Sequence, residues 1–128
     1  GANIKVNDTM VLDMDTGAFS YAVVTNTAPS NRTQHTSYKF NDKYMFIFGG
    51  LGDNGALNDL WYIDMSRVTT GTQWIRLSLS GRYPTPRYSM NSVVLPSNEI
   101  WFFGGTGSGI YGQDQKLLNL ESETDLWD

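Results

Sequence analysis

The chain has 128 residues, 40% of them hydrophobic and 17% charged, with a formal net charge of −4. That is the composition of one globular unit, and its acidic balance leaves no basic footprint for nucleic acid or an anionic membrane. Cysteine is absent, which removes disulfides, thiol nucleophiles and cysteine-based zinc sites, and no apolar run approaches the ~18 residues of a membrane-spanning helix.

Taken in chain order, the segments read as short strands. "NDTMVLDM" (7–14) precedes a turn at "DTGA" and then Phe19. Residues 36–40 are rich in β-formers, and "YMFIFGG" (44–50) is an unbroken apolar run halted by two glycines. A loop is expected at "LGDNGALN" (51–58), a strand at 60–63, a turn at "SRVTTGTQ" and a further strand at 74–79. Residues 88–95 and "EIWFFGG" (99–105) repeat the earlier pair, and a long loop, "TGSGIYGQDQKLLNLESET" (106–124), leads to "DLWD". No segment keeps a 3.6-residue apolar period over a helical length.

The repetition has a register. Pro29, Arg32 and Ser37 fall on Pro84, Arg87 and Ser92 at a separation of 55, and Phe48, Gly49, Gly50 and Gly52 fall on Phe103, Gly104, Gly105 and Gly107 without a gap. Phe19 meets Trp74 at the same offset. Upstream the offset is 51, matching Asn7, Asp8, Asp13 and Met14 with Asn58, Asp59, Asp64 and Met65. "DLWD" matches "DLWY" (59–62) at 66, which makes the second long loop 11 residues longer than the first. A strand covered on one face alternates, whereas one covered on both faces need not. The two apolar runs therefore read as inner strands sandwiched between sheets, each ended by glycines where a Cβ would obstruct a tight turn or close packing.

The pattern "FIFGG…NDLWYIDM…TQWIRLSLSGRYPTPRYS", followed by "IWFFGG", resembles the kelch repeat of β-propellers over residues 7–128. The first copy departs from it at Met10 and Phe19, which keep apolar bulk. The resemblance implies an all-β fold of four-stranded antiparallel kelch blades, present as an incomplete propeller: a blade part at 7–24, a blade at 29–79 and a blade part at 84–128. In the kelch order the chain enters at the third strand of one blade and leaves at the third strand of another. Propellers close with 4 to 8 blades. The expectation is a segment of a longer propeller, a piece of a larger assembly, or a unit completed by further copies, with both ends cut.

Chemistry is sparse. His35 is the lone histidine, aligned with Met90, so it reads as a packing residue, and a copper or iron site within these residues lacks its ligands. "GTGSG" (105–109) fits neither the Gly-x-Ser-x-Gly elbow nor a phosphate loop, because Thr106 displaces a glycine and no Lys-Ser/Thr follows. The acids of "ESETD" read as a solvated loop, and the repeat-equivalent acids as turn and strand-end residues bonding backbone amides. Asn7 and Asn31 begin N-x-T sequons, relevant only in a secreted protein. Arg32 and Arg87 precede first strands; each is either bonded to carbonyls of a neighbouring blade or set at a pocket mouth, where it suits a carboxylate or acidic peptide.

The function expected is a non-catalytic interaction module or scaffold that uses loops of one propeller face, with no cofactor, no metal, no nucleic acid and no membrane insertion. The residues expected at a protein partner are Arg32, Arg87, Asp53, Asn54, Ile110, Tyr111 and Gln113, the last three in a loop that serves a partner contact or caps a blade. The alternative is a fragment of a kelch-fold enzyme whose metal or catalytic residues lie on blades absent here. The remaining blades of a parent chain, or further copies of this one, are the other expected partners.

Overall fold

The computed structural model describes residues 4–78 and 84–107, together with the backbone of 80–81, 116–119 and 126–127. In chain order its strands are β1 (Met10–Leu12), β2 (Phe19–Tyr21), β3 (Thr36–Phe40), β4 (Tyr44–Gly52), β5 (Gly55–Asp64), β6 (Trp74–Leu77), β7 (Ser80–Gly81), β8 (Arg87–Val94), β9 (Glu99–Gly107), β10 (Lys116–Asn119) and β11 (Leu126–Trp127). They form a two-stranded ribbon, β1-β2; a four-stranded meander, β3-β4-β5-β6; and a sheet ordered β8-β9-β10-β11, on which β7 lies parallel beside β11. Among the described residues the only helical turn is a 3-10 turn at Met65–Arg67. This is an all-β array of antiparallel blades without ring closure.

Local chemistry sets the turns. The β3–β4 hairpin reverses through Asn41 and Asp42 at φ +50° and +51°, a left-handed conformation these two side chains tolerate. Asp13 and Asp64, equivalent in the repeat, do the turn work expected of them. The Asp13 carboxylate accepts from the amides of Asp15 and Thr16, each at 2.9 Å, and that of Asp64 from the amide of Ser66 at 2.9 Å.

The core lies between the two full sheets. Tyr38, Phe46, Phe48 and Leu60 from one pack against Met90, Ile100 and Phe102 from the other. The Phe102 ring lies 5.1 Å from that of Phe48 and edge-on to Tyr38 at 5.9 Å. On the opposite face of the first sheet, Ile47, Ile63 and Trp74 form a second cluster under Val24 and Ala28. β4 is thus covered on both sides, and Phe46, Ile47 and Phe48 are all buried. β9 is not: Ile100 and Phe102 are buried, but Trp101 is 40% and Phe103 49% exposed. Two-faced burial of the apolar phrase holds for β4 and holds on one face for β9, because no described sheet lies against Trp101 and Phe103.

Gly49 and Gly50 end the inner run at φ +62° and +103°, beside a bulge in the β4–β5 pairing. A Cβ on Gly49 would sit 2.7 Å from the Arg87 carbonyl oxygen of the next sheet, and one on Gly50 2.9 Å from that of Thr33. The glycines therefore serve close approach as well as backbone conformation.

Two expectations need correction. The loop at 51–58 is a tight hairpin, with Gly52 paired to Gly55 and only Asp53 and Asn54 at its tip. The last "DLW" is not a third strand. Lys116–Asn119 pairs with Glu99–Phe102 just as residues 61–64 pair with 44–47 on β4, so β10 holds the third place and β11 the fourth. The parallel pairing of Ser80 with Leu126 then resembles the isolated parallel bridge of Val24 to Thr72, two residues ahead of β6, where chain leaving one blade pairs at the outer side of the next. Eight residues (108–115) separate β9 from β10, against eighteen (108–125) before β11, and the shorter closure favours the nearer segment by ~0.7 kcal/mol. The long 106–124 segment therefore contains a blade strand.

Candidate functional site

The glycine ends of β4 and β9 and the starts of β3 and β8 form one rim. Thr33 is bridged to Leu51 by two backbone bonds, Thr33 N to Leu51 O at 3.1 Å and Leu51 N to Thr33 O at 2.8 Å, which ties the approach to β3 onto the bulged end of β4. The next residue, Gln34, is left-handed at φ +56°, and Ser89, its counterpart at offset 55, is left-handed at +55°. Each costs on the order of 1 kcal/mol for a non-glycine residue. The two meet across the blades: the Ser89 hydroxyl donates to Gln34 Oε1 at 2.6 Å and the Ser89 amide to the Gln34 carbonyl at 2.9 Å. Nothing in the residue types at 34 and 89 signalled this pairing, since Gln and Ser share only the ability to hydrogen-bond.

Both arginines are 7% exposed and point inward. Arg32 donates to the Gly49 carbonyl at 3.0 Å and makes a two-pronged pair with Asp59, at 2.6 and 2.9 Å, while its Nε bonds the Ser30 carbonyl at 3.1 Å. Its partners belong to its own blade rather than to a neighbouring one. Trp61 Nε1 adds a third donor to Asp59 at 2.6 Å. Burial pushes the Asp59 carboxyl up, but the bonds from Arg32 and Trp61 outweigh it and hold the group below the ordinary carboxylate value. Arg87 repeats the arrangement, bonding the Gly104 carbonyl at 3.1 Å and both the carbonyl and hydroxyl of Thr85, at 3.1 and 2.9 Å. Asp59 thus has a larger task than the turn role its repeat position suggested.

Of the other expected contact residues, Asp53 and Asn54 stand exposed at the β4–β5 tip, where Lys5 reaches the Gly52 carbonyl at 3.0 Å and Asp53 at 3.4 Å. Ile110, Tyr111 and Gln113 lie outside the described residues. His35 sits behind the rim beside Arg32; partial burial, and then the arginine charge, lower its pKa from the ordinary value and favour the neutral ring. Among the described residues no cluster of three or more His, Asp or Glu could hold a metal. Beneath the rim a cleft of about 260 Å³ opens between residues 6–10 and the β3–β4 face; its walls include Asp8, Met10, His35, Ser37, Met45 and Trp74.

Asn side chains carry the repeat from blade to blade: Asn7 Nδ2 donates to the Pro29 carbonyl at 3.2 Å and Asn58 Nδ2 to that of Pro84 at 3.3 Å. With the glycine-ended inner strands, the inward arginines and these ties, the molecule is a run of kelch-type propeller blades. The whole chain, residues 1–128, matches the family model described as the KLHDC2/KLHL20/DRC7 Kelch-repeats domain, and the chain belongs to the kelch-repeat family. It is 30% identical to Adagio-like protein 3 of Oryza sativa subsp. japonica over 99% of its own length and 20% of the relative's. It is 28% identical to Acyl-CoA-binding domain-containing protein 4 of Arabidopsis thaliana, over 95% of this chain and 17% of that one. The Dynein alpha chain, flagellar outer arm, of Chlamydomonas reinhardtii is 26% identical over 91% of this chain, which is 3% of the dynein chain. The chain therefore spans a fifth or less of the length of these relatives.

Proposed function

We propose that these blades, bounded at 7–24, 29–79 and 84–128, form a non-catalytic interaction surface of a larger protein, with the glycine-end rim as the contact. One observation carries this reading. Near the rim, Arg32 and Asp59 are spent on each other inside a blade, while Asp53 and Asn54 stand exposed at the β4–β5 tip. Such a tip offers adaptable hydrogen bonding on a rigid sheet, as binding loops do. The relatives support a shared module rather than a shared reaction, since the same segment occurs in proteins named for acyl-CoA binding and for a dynein chain. Asp53 and Asn54 remain the central contact residues of this reading; Arg32 and Arg87 act in it as supports of the rim, and Ile110, Tyr111 and Gln113 extend it.

The test is a photo-crosslinking residue placed in the full-length protein at Asn54 and, separately, at Asp42, at the other end of the same blade. Crosslinked protein adducts from position 54 and none from 42 are the expected result. Equal labelling, or labelling from 42 alone, overturns the rim as the contact.

A further inference from the structure

The turn between β5 and β6 outgrows its counterpart in the repeat. Nine residues (65–73) separate Asp64 from Trp74, against five (14–18) between the equivalent Asp13 and Phe19. The short copy reverses the chain without the four extra residues, so chain reversal does not account for them. The longer turn is also tied at many points. A 3-10 turn at Met65–Arg67 is capped by Asp64, and the Arg67 carbonyl accepts from the amides of Thr70 at 3.1 Å and Gly71 at 2.9 Å. The Thr72 hydroxyl donates to the Asp64 carbonyl at 3.1 Å. From outside, the Val23 amide bonds the Val68 carbonyl at 2.7 Å and the Thr25 amide that of Thr72 at 2.9 Å.

This turn walls a cavity of about 600 Å³ at the end of the blade away from the glycine rim, a volume in the range of small-ligand sites. Tyr44, Tyr62 and Ile75 supply its apolar lining. The two rings are fixed in place: Tyr62 stacks on Phe46 at 5.4 Å and meets Tyr44 edge-on at 5.6 Å, and Lys43 lies 5.0 Å from the centre of the Tyr44 ring. Asp64, also on the wall, is spent. Its carboxylate accepts from the Ser66 amide at 2.9 Å and hydroxyl at 2.6 Å and pairs with Lys43 at 3.5 Å. Arg67 is not spent. It is exposed on the same wall, and its guanidinium makes no hydrogen bond or ion pair among the described residues. The short turn, "MDTGA", carries no cation. The extra residues therefore bring one uncompensated positive charge to a cavity lined by two held aromatic rings.

We propose that this cavity binds a small planar aromatic carboxylate. Its ring lies along Tyr44, Tyr62 and Ile75, and the Arg67 fork takes both carboxylate oxygens. One unspent guanidinium matches a single negative charge, whereas a phosphate dianion calls for a second cation, and Lys43 is committed to Asp64. The ties along the turn hold the walls in advance, so little ordering opposes binding. The site is independent of the rim proposed above as the contact surface.

The probe is cinnamate, titrated into the full-length protein that carries these blades and followed by NMR of the ligand. Saturable binding with a Kd on the order of 1 mM is expected for a ligand of this size. Arg67→Gln should weaken it roughly tenfold or more, and Arg67→Lys should recover only part of the loss, because an ammonium keeps the charge without the fork. Ile75→Glu, at a strand position 38% exposed, sets a like charge in the cavity and should abolish binding. Arg76→Gln removes an exposed cation of the same blade that lies outside the walls, and should change nothing. Cinnamyl alcohol, the same skeleton without the charge, should bind roughly tenfold more weakly and ignore Arg67→Gln. No saturable binding of cinnamate overturns the site, as does binding equal in the parent and in Arg67→Gln, or equal for cinnamate and the alcohol. A loss in Arg76→Gln as large as in Arg67→Gln would assign the effect to surface charge in general and overturn the site as well.

Discussion

β4 and β9 are written with nearly the same residues and live in different surroundings. Phe48 and Phe103 are repeat-equivalent, yet the first is wholly buried and the second 49% exposed. Gly49 and Gly104 are both left-handed, yet a Cβ on the first would strike a neighbouring carbonyl and on the second would meet nothing within 4 Å. The residues of an inner strand are chosen for two covered faces; whether both faces are covered depends on the sheet next door.

The largest expected difference follows from that cover. Phe48→Ala removes a side chain packed on both Leu60 and the Phe102 ring and should cost about 3–5 kcal/mol. Phe103→Ala should stay within about 0.5 kcal/mol in this chain. Urea denaturation of both variants measures the gap, and similar losses for the two would undo the comparison. In the full-length protein, a blade lying over β9 would move the cost of Phe103→Ala toward that of Phe48→Ala.

Next comes the acidic pair. Asp59→Asn strands the buried Arg32 guanidinium and should destabilise the chain by about 2–4 kcal/mol, while Asp8→Asn, with no partner among the described residues to lose, should shift it by under about 0.5 kcal/mol. The Asp59 carboxyl is held below its ordinary value in the fold, so its contribution is full above that value and is lost as pH falls through the folded pKa. An acid titration of stability should therefore be flatter below about pH 4 in Asp59→Asn than in the parent chain.

The glycines sharpen the contrast at smaller scale. Gly49→Ala combines a left-handed strain with a 2.7 Å approach to the Arg87 carbonyl and should cost more than about 2 kcal/mol; Gly104→Ala carries the strain alone, on the order of 1 kcal/mol. Thermal melts that rank the two equally would remove close packing as the reason for the first glycine.

The smallest effect belongs to His35. Its pKa is lowered in the fold, so the stability it contributes is present above the ordinary histidine value near 6.5 and declines as pH falls through the folded pKa. Stability between pH 7 and 5 should fall slightly in the parent chain and less in His35→Gln. A steeper fall in the variant would mean that the ring is not favoured as neutral.

The inner strands β4 and β9, the paired phrases, the turn acids and the glycine stops were legible in the amino-acid sequence, because each depends on residues within a few positions of one another and on a repeat that displays them twice. Family membership was legible for the same reason. The tertiary structure decided everything that depends on a neighbour brought from elsewhere in the chain. It turned Arg32 inward, because Asp59 lies 27 positions away in sequence but 2.6 Å away in space. It gave the third place on β9 to Lys116–Asn119 and moved "DLW" one strand outward, since an apolar pair flanked by polar residues suits either place and only the pairing register separates them. It also left Met10, Leu12, Trp101 and Phe103 uncovered, because burial is a property of two surfaces and a sequence segment writes only one of them.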